Sequence, residues 1–144
     1  MQTVRQLLES KNQHALISVS PDFTVYQALQ LMAEKDVGAV LVMERGTVLG
    51  IFSERDYARR IVLLGRTSVT TAVRETMTSK VVYVQPDNTL PECMALMTER
   101  HIRHLPVMED GLVIGMLSIG DLVRSQIAAQ QLEIDQLLHY IQSA

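Results

Sequence analysis

One cysteine, Cys93, occurs in the 144 residues, so the chain can form neither an internal disulfide nor a cysteine-based zinc site. That fits a reducing compartment. Excess positive charge is also lacking: the net charge is -3 and the pI is near 5.8, which leaves no broad basic footprint for nucleic acid. Apolar runs such as VGAVLVM at 37–43 are far too short to span a bilayer. The opening MQTVRQLLESKN carries Glu9 and lacks an apolar core, so no secretory signal is expected. The histidines His14, His101, His104 and His139 fall in no recognisable catalytic order, and neither H-E-x-x-H nor a Walker glycine loop occurs. A soluble cytoplasmic protein is therefore expected, with no catalytic residues, no metal, and neither nucleic acid nor membrane as partner. What is present is ordinary globular composition, with 47% hydrophobic residues, four prolines and seven glycines.

The chain repeats itself. Sliding it by 65 positions aligns 19–62 with 84–127 and matches 16 of 44 residues, among them Pro21/Pro86, Gly50/Gly115, Ser53/Ser118 and Asp56/Asp121. A preamble repeats as well, VRQLL at 4–8 against VRETM at 73–77, with four extra residues in the first copy. This predicts a first repeat at 4–64, a linker at 65–72, a second repeat at 73–126 and a C-terminal helix extension at 127–144.

Each copy parses as β-α-β-β-α. ALISV (15–19) and KVVYV (80–84) read as strands followed by Pro-Asp turns. Helices follow at 24–36 and 89–101, with apolar residues at helical spacing and Thr24 and Thr89 as N-caps. AVLVM and HLPVM then pair with TVLGIFS and LVIGMLS across glycine-bearing turns, and further helices run over 54–64 and 119–142. The predicted class is α+β, with two such repeats packed face to face about a pseudo-two-fold axis to cover their apolar faces. Ile127, Ile134 and Ile141 recur every seven residues, joined by Leu138, so the last helix has a stripe to bury on its own domain or on another subunit.

GIFSERD and GMLSIGD write G-x-x-S-x-x-D at both strand-to-helix corners. Ser followed three residues later by an acid is a capping box, which places a carboxylate at the positive end of the helix. The same corner suits a nucleotide, since helix N–H groups favour phosphate and a fixed carboxylate accepts ribose hydroxyls. Cations are at hand: Arg55 lies inside the first motif, and Lys80, Arg103 and His104 lie on or beside strands of the second copy. Cys93 falls on an apolar helix face, where it reads as a small hydrophobe.

The V-x-P-D-x-T, R-H-L-P-V and G-M-L-S-I-G-D-L stretches resemble the cystathionine-β-synthase (CBS) domain, and the two copies resemble a CBS pair, or Bateman module. The likeness runs from Val4 to about Gln126 and is strongest to small stand-alone CBS-pair proteins of bacteria and to their plant organelle relatives. It implies a regulatory protein that binds an adenine nucleotide in clefts between the repeats: AMP first, then NAD(H), ADP, ATP or S-adenosylmethionine. Carried over, Asp56 joins Thr78, Val82, Ile102 and Pro106, and Asp121 joins Ile17, Val37, Gly38 and Ala39. Ser53 and Ser118 approach phosphate or ribose, and Arg103 and His104 bind phosphate. Because Gly38, Ala39 and Gly120 replace Arg103, His104 and Arg55 by repeat alignment, the Asp121 cleft is expected to hold few cations and the Asp56 cleft to bind more tightly. A homodimer signalling to a regulated protein is implied, and the plant relatives imply a thioredoxin-system partner. The alternative is a ligand-independent interaction module that uses the long last helix.

Overall fold

Threonine hydroxyls start both long internal helices, as expected of Thr24 and Thr89. The computed structural model describes residues 2–11 and 16–143; His14 and the first residue of the predicted strand 15–19 lie outside them. In order, the elements are α1 (Val4–Ser10), β1 (Ser18–Val19), α2 (Val25–Lys35), β2 (Ala39–Glu44), β3 (Thr47–Ser53), α3 (Glu54–Tyr57), α4 (Leu90–Arg100), β4 (His104–Glu109), β5 (Leu112–Ser118) and α5 (Ile119–Ser143). Thr24 and Thr89 each accept an N–H from the third helical residue, whose side chain returns a bond to the cap. Such a cap is worth about 1 kcal/mol. The mixed content is that of the α+β class expected.

The chain divides into two compact units, and the division interleaves the sequence copies. An early unit gathers Ala15–Tyr83 and Met108–Ile114; a late unit gathers Met1–His14, Val84–Val107 and Gly115–Ala144. In the early unit β1 pairs parallel with β2 across α2, and β2 pairs antiparallel with β3, with a bulge between Val42 and Met43. Arg45 and Gly46 both have positive φ, +52° and +79°, as the two-residue hairpin turn demands. Asp110 and Gly111 repeat this at +53° and +78° between β4 and β5.

Val19, Val25, Ala28, Met32, Val40, Val42, Phe52, Ile61 and Val73 form the early core. Their repeat equivalents Val84, Leu90, Cys93, Met97, Leu105, Val107, Leu117 and Val4 are buried in the late unit. Cys93 thus fills the place of Ala28, and burial, followed by the charge of Glu92, pushes its thiol up to about 11.

Each preamble docks on the body of the other copy. Val73 and Arg74 donate to the Phe23 and Pro21 carbonyls, while Val4 and Arg5 donate to those of Asn88 and Pro86. Glycine makes the docking possible. A Cβ on Gly50 would stand 2.7 Å from the Thr78 carbonyl oxygen and 2.8 Å from Met77 Sδ; one on Gly115 would stand 2.7 Å from Leu8 Cδ2.

Two predicted elements are corrected. No strand forms over 80–83: Val81 N–H turns back to the Ser79 carbonyl, and Val84 alone bridges to Val107. The helix expected at 54–64 is α-helical only over Glu54–Tyr57 and widens to a π-helical turn over Ala58–Val62, ended by Gly65 at φ +68°. There Ile61 is buried and Arg60 donates to the Thr76 and Met77 carbonyls at 3.0 and 2.7 Å.

Gly50→Ala should destabilise the protein by about 1–3 kcal/mol, because a backbone oxygen must shift. Gly115→Ala should cost less, because the end of a leucine side chain can move aside. Urea denaturation of the two variants checks the order.

Candidate functional site

The repeated G-x-x-S-x-x-D motif folds into two carboxylate-centred corners, one in each unit. Ser53 ends β3, and its hydroxyl accepts the Asp56 N–H at 3.3 Å. Asp56 Oδ2 accepts the Ser53 N–H at 2.9 Å and its hydroxyl at 3.1 Å. In the second corner the Ser118 hydroxyl accepts the Asp121 N–H at 3.1 Å, and Asp121 Oδ2 accepts the Ser118 N–H at 2.8 Å. Both aspartates are 7% exposed. The capping reading of the motif is therefore correct in both copies.

Each carboxylate also holds a preamble, and here the corners differ. Thr78 donates its hydroxyl to Asp56 Oδ1 at 3.1 Å, and Arg60 Nε lies 3.9 Å from the same oxygen. Asp121 instead sits between two cations, the Lys11 ammonium at 2.9 Å on Oδ2 and the Arg124 guanidinium at 2.6 Å on Oδ1. Lys11 also donates to the Met116 carbonyl at 2.7 Å. Burial pushes the Asp121 pKa up, but the Ser118 N–H and the Lys11 ammonium outweigh it and hold the carboxyl below its ordinary value. A cavity of about 690 Å³ opens beside this corner, lined by Gln2, Leu7, Ser10 and Lys11 on one side and by Asp121, Arg124, Ser125, Ala128, Ala129 and Leu132 on the other.

The expectation that the Asp121 corner holds few cations is thus corrected. Lys11 and Arg124 were missed, although both left a trace. Arg124 repeats Arg59, and Lys11 falls opposite Lys80 when the preamble alignment is extended.

The early unit contains the predicted site residues Ser53, Arg55, Asp56, Thr78, Lys80, Val82, Ile17, Val37, Gly38 and Ala39. The late unit contains Ile102, Arg103, His104, Pro106, Ser118, Gly120 and Asp121. Ala39 pairs with Ser53, and the Gly38 carbonyl accepts the Glu54 N–H at 3.1 Å, so the start of β2 lies against the Asp56 corner. Likewise the Arg103 carbonyl accepts the Ile119 N–H at 2.8 Å, against the Asp121 corner. Within the early unit Thr78, one of the expected Asp56 partners, touches its carboxylate. Arg55 and His104 are half-buried, Arg103 and Lys80 exposed. Among the described residues no group of three or more His, Cys, Asp or Glu could hold a metal ion.

The model of the CBS domain matches 4–63 and 73–128, the two copies that the repeat defines. The chain belongs to the CBS-domain family. It is 38% identical to the mitochondrial CBS domain-containing protein CBSX3 of Arabidopsis thaliana, over 97% of this chain and 72% of that protein. A solved CBS-domain protein of Burkholderia ambifaria is 50% identical, with a TM-score of 0.87 over 90% of this chain and 96% of its own. The CBS pair of protein MJ0100, solved with 5′-methylthioadenosine and S-adenosylmethionine, shares the fold at 19% identity and a TM-score of 0.78, over 90% of this chain and 98% of its own. Among the described residues no helix is long and apolar enough to cross a membrane.

Because its folded pKa is lowered, Asp121 adds stability that is complete above the unfolded pKa and is lost as pH falls through the folded one. Lys11→Met should cost about 1–3 kcal/mol at neutral pH. It should also shrink the loss of stability below pH 3.8, the ordinary value for this carboxyl, as read from urea melts across the acid range.

Proposed function

We propose that this CBS pair is a regulatory adenosine-ligand sensor, with AMP its preferred ligand and NAD(H), ADP, ATP or S-adenosylmethionine the competitors. The observation that carries this reading is the buried carboxylate at each Ser-x-x-Asp corner, fixed by a cap and by a preamble. A carboxylate so held is preorganised to accept ribose hydroxyls, while cations beside it receive phosphate. The adenosine-type ligands of the MJ0100 pair support the same ligand class.

Asp56 is the stronger ribose acceptor in this reading. Hydroxyl and amide donors hold it at bonding distance, and Arg60 Nε stands 3.9 Å from it. Asp121 already makes two direct ion pairs, so a ribose must compete with Lys11 and Arg124. Those two cations suit a phosphate better than their partner suits a sugar. Arg55, Arg103 and His104 remain the phosphate ligands proposed beyond the corners.

Ligand binding shifts the population of chain conformations by no more than its differential affinity for them, and a partner protein reads that shift. The sensor acts as a homodimer in the cytoplasm and regulates rather than catalyses. The alternative, a ligand-independent interaction module, rests on the exposed apolar residues of α5.

Calorimetric titration with AMP tests the reading. Asp56→Ala should weaken binding by about 1.5–3 kcal/mol, or roughly 10- to 150-fold, and Asp121→Ala by less. Equal losses overturn the ranking of the corners. If nucleotide-free protein binds none of the five ligands, the adenosine reading falls and the interaction module takes its place.

A further inference from the structure

Every residue from 126 to 143 of α5 is exposed, yet the segment is rich in large apolar side chains. In proteins most helical stability comes from packing an amphipathic face rather than from propensity. Its apolar residues follow a heptad. Ile127, Ile134 and Ile141 take the first core position; Val123, Gln130 and Leu137 take the second. The five apolar members are 42–67% exposed.

The other described residues of the late unit do not use this seam. The α5 residues that line the groove with α1 are Ser125, Ala128, Ala129 and Leu132. At 100° per residue their mean direction falls on the opposite side of the helix from the heptad seam. A second helix can therefore seat on the seam without displacing α1.

We propose that residues 123–141 form a parallel, in-register, two-stranded coiled coil with a second copy of this chain. Isoleucine at every first core position, with Leu137 at the second, is a pattern that favours two parallel strands. Gln130 selects the occupant. In register it faces Gln130 of the partner copy, and the two amides satisfy each other; against an apolar helix it is buried without a partner. Charge selects the orientation. A parallel pair sets Glu133 beside Leu138 and Gln126 beside Gln131 of the partner copy, with no like charges facing. An antiparallel pair centred on the same seam sets Glu133 against Glu133 and Gln130 against Ile134. The seam spans 19 residues, about 28 Å of helix, so the association is reversible and concentration-dependent.

The inference rests on the homodimer reading and names the surface that makes it. Sedimentation of the full chain over micromolar concentrations should show a reversible dimer. Ile134→Glu should raise its dissociation constant at least tenfold, with the melting temperature of the monomer unchanged because the site is exposed. Gln130→Cys should cross-link as a dimer under mild oxidation, since Cys93 is buried and does not compete. A full chain that stays monomeric removes both the homodimer and the coiled coil. A dimer that survives Ile134→Glu, or that leaves Gln130→Cys uncross-linked, overturns the coiled coil and moves the interface elsewhere, with Leu63→Glu and Leu64→Glu the next variants to read.

Discussion

The buried carboxylate at each strand-to-helix corner is the constraint on which this molecule depends. One side chain closes the helix start, fixes the end of the preceding strand and holds a preamble segment distant in sequence. Asp56 does this through Ser53 and Thr78, and Asp121 through Ser118 and Lys11. A carboxylate removed from water in this way must be matched by donors, and matched donors are what fix its orientation. The contacts that fold each corner thus also make it rigid.

The neighbouring residues follow from that constraint. For the preamble to reach the carboxylate it must pass over the strand three residues earlier, with the Thr78 carbonyl against Gly50 and the Leu8 side chain against Gly115. Once the preamble is seated, Val73 and Val4 enter the cores and complete them. The motif therefore joins three roles: glycine for close approach, serine for the cap, aspartate for the anchor.

Duplication has not kept the two corners equivalent. Hydroxyls surround one carboxylate, and direct cations grip the other. At Asp56 the cation of Arg60 stands off at 3.9 Å and a neutral hydroxyl makes the close contact, whereas Lys11 and Arg124 pair directly with Asp121. The copies diverge again where α5 runs on past its counterpart. Its second half adds nothing to the late core and carries an apolar seam of its own.

By itself the sequence determined everything governed by neighbours three or four residues apart: the duplication, the capping boxes at Thr24, Thr89, Ser53 and Ser118, the hairpin turns at Arg45-Gly46 and Asp110-Gly111, and the buried faces of α2 and α4. These are local interactions whose chemistry is written in residue order. Tertiary structure alone decided that each preamble serves the other copy, since the bonds that hold it there join residues far apart in the chain, Lys11 and Asp121 among them at a separation of 110. It also decided the fate of KVVYV, whose branched residues favour a strand but whose backbone turns at Ser79–Val81 before pairing can begin. The π-helical turn at Ala58–Val62 belongs to the same class, because Arg60 meets its carbonyl partners only after the second preamble has docked. Propensity acts within a few residues, whereas the donors that satisfy a buried charge come from wherever packing brings them.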